Sequence, residues 1–160
     1  MKQLRYISLC SGVEAASLAF CQLEGFKPVA YAELEDFPSA ILAAKFPDVP
    51  NLHDVTKVNW KEYYGAADLV IFGSPCQSYS ISGLRKGLDD PRGQLMLACL
   101  AACRDIDPEW AVLENVPGLL SADRGRCFET FLNAVAILWP RGGRRLEDSG
   151  LAMVWSRPAT

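Results

Sequence analysis

Short apolar runs that read as strands alternate with helical patterns along most of this chain, and that alternation narrows its possible folds more than any other feature. Tyr6-Ile7-Ser8-Leu9 reads as a first strand. Gly12 follows, then a helical pattern through Val13, Ala16, Leu18, Ala19 and Leu23 that Gly25 stops. Pro28-Val29-Ala30-Tyr31-Ala32 reads as a second strand ending at Glu33, and a second helix is expected over residues 37–46, with Pro47 as its stop. Residues 49–52 suggest a short third strand before His53 and Asp54. Asp68-Leu69-Val70-Ile71-Phe72 is the fourth, followed by a glycine- and charge-rich loop to about Pro91 and a helix over residues 92–104. Pro108 breaks the chain, Trp110-Ala111-Val112-Leu113 is the fifth strand, and Pro117-Gly118 turns it. A helix face over residues 127–138 and a last strand, Leu151-Ala152-Met153-Val154-Trp155, complete the pattern. This order predicts an α/β fold: a mostly parallel sheet with helices on both faces.

The 160 residues suit one domain, and with half of them apolar a sizeable core can be buried. Only residues 140–143 offer a hinge, so no second domain is expected. No apolar stretch approaches the roughly 18 residues of a membrane span. Met1 to Tyr6 leads straight into a strand without a signal-peptide layout, so a cytoplasmic protein is expected, with its six cysteines reduced. Zinc-type C-x-x-C pairs are absent and His53 is the one histidine, so no metal is expected. Cys99 and Cys103 are four apart, which reads as packing on one helix face. The net charge of −3 argues against a complete DNA-binding machine, although Arg85, Lys86 and Arg92, and Arg141, Arg144 and Arg145, are locally basic.

Chemistry in such sheets lies outside the carboxyl ends of the strands. Gly12 would let backbone approach a ligand there, and Glu33 follows at the spacing of a carboxylate that holds ribose hydroxyls. The full G-x-G-x-x-G is missing, which disfavours NAD or FAD and leaves a nucleoside without pyrophosphate, such as S-adenosylmethionine. An ordinary β-α turn with an unrelated glutamate answers the same spacing. Asp54 could accept from an adenine amino group, though loop aspartates are more often solvated. His53 reads as an exposed loop residue without triad partners, against a Cys-His hydrolase. Cys76 sits in Gly73-Ser74-Pro75-Cys76-Gln77-Ser78-Tyr79-Ser80, where a thiolate could act as nucleophile. Glu114-Asn115-Val116 follows the fifth strand. A packed thiol and a surface carboxylate are the commoner single explanations. Gly12, Glu33, Asp54, Cys76 and Glu114 all at strand ends are harder to explain independently.

These residues resemble the DNA (cytosine-5)-methyltransferases, and most closely the phage- and prophage-type members. Cys10 to Ser17 reads C-S-G-x-E-A-A-S, Pro75 to Ser80 reads P-C-Q-x-x-S, and the glycine-rich continuation ends in Asp90-Pro91-Arg92-Gly93-Gln94-Leu95. Glu114-Asn115-Val116 stands for the family's E-N-V, and the likeness runs from about Tyr6 to Leu138. The resemblance implies a Rossmann-like S-adenosylmethionine-dependent fold in which Cys76 attacks C6 of a flipped cytosine as thiolate. Glu114 would hydrogen-bond N3 and the exocyclic amine, C5 would take the methyl group, and loss of the C5 proton would expel the thiolate. Ser11, Gly12 and Val13 would approach the methionine part of the cofactor. Glu33 would hold the ribose, Asp54 with Val55 the adenine edge, and Leu34, Pro75 and Leu95 would pack on the adenine. Gln77, Ser80, Arg85, Lys86, Arg92 and Asn115 would face DNA.

The common pattern has phenylalanine where Cys10 stands and glycines where Glu14 and Ala15 stand; the phage-type subgroup shares these changes. The family's later Q-x-R-x-R motif, target recognition domain and cofactor-completing segment are not found, so the chain is expected to be a partial catalytic domain, truncated at its carboxyl-terminal end. Alone it is expected to bind S-adenosylmethionine weakly and to methylate DNA poorly or not at all. The last strand would have to pair with the fifth or remain an exposed edge. Other readings are an inactive truncated or frameshifted relic, one half of a split enzyme with a separate recognition chain, and an RNA cytosine-5 methyltransferase. The recognition sequence is not encoded here.

Overall fold

The structure, a computed structural model, describes residues 3–73, 91–115, 118–138, 147–148 and 152–156. Its strands are β1 (Leu4–Leu9), β2 (Phe26–Ala32), β3 (Leu69–Gly73), β4 (Trp110–Glu114), β5 (Glu147–Asp148) and β6 (Ala152–Ser156). They form one sheet in the order β2-β1-β3-β4-β6-β5. The β2–β1–β3–β4 part is parallel throughout. The helices are α1 (Ala15–Phe20), α2 (Asp36–Lys45), α3 (Pro91–Ile106), α4 (Gly118–Ser121) and α5 (Arg126–Leu138).

Alternation along the strands sorts the side chains into two cores, because successive residues point to opposite faces. Ile7, Leu9, Val70, Phe72, Ala111 and Leu113 pack with Met96, Leu100 and Ile106 of α3 and with Phe131 and Val135 of α5. Tyr6, Tyr31 and Leu69 face the other way and pack with Leu42 of α2 and Phe20 of α1. Helices therefore cover both faces, as the alternation predicts. Cys99 and Cys103 lie in the first of these cores. No helix among the described residues is long and apolar enough to cross a membrane.

Three details differ from the sequence expectation. Residues 49–52 form no strand: Asn51 makes a single parallel bridge to Tyr31, held by Tyr31 N–H to Pro50 O and Leu52 N–H to Tyr31 O. Pro50 has no N–H, so the ladder cannot run on through it. The first helix is shorter than the pattern over residues 13–23, and its apolar positions are not its buried ones. Val13, Leu18 and Leu23 are exposed, whereas Glu14 and Ser17 are buried. The hydroxyls of Tyr6 and Tyr31 beneath α1 supply the reason: Ser17 Oγ hydrogen-bonds both, so a polar stripe is what this helix must bury. β3 starts at Leu69, one residue later than the run suggests, and Asp68 before it turns its carboxylate to the Arg5 amide and guanidinium, at 2.9–3.0 Å. The last strand, β6, pairs antiparallel with β4, the direct pairing the sequence left as one of two outcomes.

Candidate functional site

The parallel strands end together. Leu9 is level with Ala32 and with Phe72, and Gly73 is level with Glu114. The residues that follow each strand therefore gather along one sheet edge. After β1 the backbone enters the left-handed region at Cys10, Gly12 and Glu14, with φ of 53°, 57° and 61°. Only Gly12 adopts it without a side-chain penalty, and a Cβ there would point into open space, so a ligand can lie against its backbone. The Ser11 hydroxyl donates to Ser8 O at 2.9 Å, and Val13 is left exposed.

Glu33, just past β2, is the organising carboxylate. It is buried, its Oε2 accepts from Gly12 N–H at 2.7 Å, and its Oε1 accepts from Glu35 N–H at 2.8 Å. Each oxygen keeps a second lone pair, so the group can still accept from a neighbouring hydroxyl pair. Asn51 clamps its backbone: Oδ1 accepts from Glu33 N–H at 2.9 Å and Nδ2 donates to Glu33 O at 3.1 Å and to Ser39 Oγ at 3.0 Å. The sequence reading missed Asn51, and nothing in one sequence marks it. Leu34 stands exposed beside this carboxylate in the chain.

His53 is exposed, as expected, with φ of 60°. Asp54 Oδ1 accepts from the Thr56 hydroxyl at 2.7 Å and from its N–H at 3.0 Å, and Lys57 Nζ lies 3.1 Å from Oδ2. The Thr56 hydrogen bonds, with Lys57 adding, hold the Asp54 carboxyl below its ordinary range. Val55 points into the core, and its carbonyl accepts from Trp60 Nε1 at 2.9 Å. Leu95 is partly buried against that core from α3.

At the other end of the edge, Glu114 closes β4 beside Gly73. A Cβ on Gly73 would meet Glu114 Oε2 at 3.1 Å, so the carboxylate lies against the last residue before the loop that carries Cys76. Asn115 is buried directly after it. Pro75, Cys76, Gln77, Ser80, Arg85 and Lys86 lie outside the described residues; Arg92 is in the first turn of α3, its side chain likewise outside them. Among the described residues no cluster of three or more His, Cys, Asp or Glu could hold a metal ion.

A family model for C-5 cytosine-specific DNA methylases matches residues 4–138. The chain belongs to that family. Family and fold together imply S-adenosylmethionine as the methyl donor. A solved prophage-encoded DNA modification methyltransferase from E. coli superposes over 97% of this chain with a TM-score of 0.75 at 23% identity. The S. pombe Dnmt2 methyltransferase does so over 96% with a TM-score of 0.66 at 19% identity. These two show a Rossmann-like methyltransferase fold. Among curated relatives, a DNA N-6-adenine-methyltransferase of Escherichia phage P1 is 45% identical over 85% of the chain, covering 19% of its own length. The type II methyltransferase M.AquIA of Picosynechococcus is 35% identical over 80% of the chain and 54% of its own length. An orphan methyltransferase of Bacillus phage SPR is 33% identical over 92% of the chain. This methylase chain thus spans between about a fifth and about half of the first two relatives it matches.

Glu14 shares the buried stripe of α1 with Ser17. Glu14 caps that helix by accepting from Ser17 N–H and Ser17 Oγ, both at 3.0 Å, which offsets its left-handed backbone. Its Oε2 is buried without a hydrogen-bond partner. Burial pushes the carboxyl above its ordinary value of 4.5, while the Ser8 and Ser17 hydrogen bonds pull it back. A raised folded-state value means that Glu14's contribution is fullest below the unfolded value and is lost as pH rises through the folded one. Glu14→Gln is therefore expected to melt a few degrees above the parent at pH 7.5, where about 1 kcal/mol of burial penalty is relieved, with the gap closing towards pH 4. Thermal melts across that range check it; a gap that widens in acid would contradict the assignment.

Proposed function

We propose that this chain is the catalytic portion of a DNA (cytosine-5)-methyltransferase, with Cys76 as nucleophile and Glu114 as its acid partner. The observation that carries the reading is the placement of Glu114 against Gly73, three residues before Cys76, at the sheet edge that also holds Glu33 and Gly12. S-adenosylmethionine, when bound, supplies an electrophilic methyl group. The residues fit such a cofactor. Gly12 leaves open space beside its backbone, and Glu33 is already aimed by two N–H donors with acceptor capacity to spare for the ribose hydroxyls. Leu34 and Val13 offer exposed apolar surface for the adenine and methionine parts. Asp54 is preorganised as an anion for the adenine amine.

Cytosine C5 is too electron-poor to take a methyl group unaided. Addition of the Cys76 thiolate to C6 pushes the ring electrons towards N3, where Glu114 hydrogen-bonds and favours protonation, and leaves C5 with enamine character. C5 then takes the methyl group, and loss of the C5 proton returns electrons to the C5–C6 bond and expels the thiolate. The base must be flipped out of its stack to reach these groups. Gln77, Ser80, Arg85, Lys86, Arg92 and Asn115 are assigned to the DNA side.

The phage P1 relative's name favours a second reading, methylation of an adenine amine. Cytosine is preferred for two reasons. The match covers 19% of that protein, so its name describes much more than the shared part. An exocyclic amine also carries its own lone pair and needs no thiol, whereas this chain has Pro75-Cys76-Gln77 and Glu114-Asn115-Val116. The deciding experiment incubates the chain with S-adenosylmethionine and duplex DNA containing 5-fluorocytosine, alone and with a complementing recognition chain. A denaturation-resistant protein–DNA adduct supports the reading. Methyl transfer to adenine, or to RNA in preference to DNA, would sink it.

Gly73→Ala tests the placement directly. Its Cβ would press on the far end of a flexible side chain, so the fold should survive with a melting temperature within about 2 °C of the parent. The Glu114 carboxylate must move by a few tenths of an ångström, and adduct formation is expected to slow about tenfold.

A further inference from the structure

The thiols of Cys10 and Cys99 touch across the start of the cofactor edge, with Sγ–Sγ at 3.8 Å. Cys10 is half-buried one residue beyond β1, and Cys99 is fully buried in the middle of α3. From this pairing we infer that Cys10 is a site of reversible oxidation by hydroperoxides, resolved by Cys99 as a disulfide that disables the cofactor pocket. The effect on the pocket rests on the cofactor reading above; the disulfide itself does not.

The chemistry needs one reachable thiol with a second directly behind it. Cys10 takes the first role. The Cys99 thiol donates to it and holds its pKa below the ordinary value, although burial and Glu33 act against this. The same contact, with burial, pushes Cys99 up, so it keeps its proton until needed. The Cys10 thiolate attacks the peroxide oxygen, giving a sulfenic acid and releasing the alcohol or water. Cys99 sulfur then displaces hydroxide from that sulfenic acid, and the Cys99 proton leaves with it as water. The two thiols lose two electrons to the hydroperoxide. In a reducing compartment the pair stays open until such an oxidant appears.

Closure brings the sulfurs from 3.8 Å to about 2.05 Å, and the two sides are not equally free to move. Cys99 is locked in a helix within the core. Cys10 lies outside the β1 ladder with φ of 53°, so the movement falls on it and on Ser11 and Gly12 next to it. Gly12 N–H is one of the two donors that aim Glu33. Losing one charge-assisted hydrogen bond predicts an affinity about tenfold weaker for S-adenosylmethionine.

The test uses the full chain carrying Cys76→Ser, so that the proposed nucleophile does not compete for oxidant. It is treated with hydrogen peroxide, digested without reduction and mapped by mass spectrometry. Tandem fragmentation separates Cys10 from Cys21 and Cys99 from Cys103. The expected result is a Cys10–Cys99 linked peptide, together with a tenfold loss of S-adenosylmethionine affinity by calorimetry that dithiothreitol restores. Adding Cys99→Ala should leave the reduced affinity unchanged and remove the peroxide effect; if that variant does not fold, dithiothreitol reversal decides alone. No linked peptide, sulfinic acid at Cys10 without linkage, or linkage with unchanged affinity overturns the inference. Linkage in a chain that never binds S-adenosylmethionine keeps the disulfide and overturns the cofactor reading instead.

Discussion

Glu33→Ala is expected to raise the dissociation constant for S-adenosylmethionine about a hundredfold, measured by calorimetry on a chain whose circular dichroism is unchanged. The magnitude follows from what the carboxylate is assigned to do. Two hydroxyl donors on one charged acceptor contribute about 1.5–3 kcal/mol each, and 1.4 kcal/mol is a factor of ten. Truncation also frees Gly12 N–H and Glu35 N–H, so the loop after β1 loses the anchor that holds it over the pocket. Glu33→Gln separates these effects. It keeps one acceptor oxygen and the side chain's shape but surrenders the charge, and an intermediate loss of about tenfold is expected. Equal affinity in the parent and the alanine variant, with the fold retained, would remove Glu33 from the pocket and with it the assignment of this edge to a nucleoside cofactor. The fold itself should tolerate the change, because Asn51 clamps the Glu33 backbone rather than its side chain.

The strand ends were readable in the sequence because they depend on short-range rules. An apolar run of four or five residues followed by Gly12, Glu33 or Glu114 marks both a strand and where its polar cap begins. Register then brings those caps level, as Leu9 with Ala32 and Gly73 with Glu114. The helix after β1 was not readable in that way. Apolar periodicity assigned Val13, Leu18 and Leu23 to its inner face, whereas the neighbours it meets are two tyrosine hydroxyls that only the folded sheet brings beneath it. A buried Glu14 and Ser17 answer those hydroxyls, so tertiary hydrogen bonding overrides the pattern. Asn51 was invisible for the same reason. The three hydrogen bonds by which it clamps this edge go to Glu33 and Ser39, far enough along the chain that no local motif announces them. Residues 49–52 failed as a strand for a local reason that could have been weighed, since Pro50 cannot donate to a ladder. The motif around Cys76 was the reverse case: specific as sequence, and outside the described residues of the structure.

Cys76→Ser is expected to abolish covalent capture of 5-fluorocytosine DNA, whereas Glu114→Gln is expected to slow capture about a hundredfold without abolishing it. The two groups fail differently because they do different work. The adduct is a sulfur–carbon bond, and a serine hydroxyl, far less acidic and less nucleophilic than a thiol, does not replace it. Glu114 forms no bond to the base. It acts through hydrogen bonds at N3 and the exocyclic amine as charge builds on the ring, and a glutamine amide preserves part of that contact. Fluorine makes the comparison clean. With no proton at C5 to lose, elimination cannot regenerate the thiolate, and every productive attack is counted as a persistent band on a denaturing gel. Capture by Cys76→Ser at the parent's rate would move the nucleophile to another residue. Equal loss in both variants would point instead to a purely structural role for Glu114 against Gly73. Dissociation constants for S-adenosylmethionine that stay level in both variants would exclude that alternative, because Glu114 lies three strands along the sheet from Glu33. A structural collapse at β4 would also lower the melting temperature. The catalytic reading requires lost capture with both binding and stability intact.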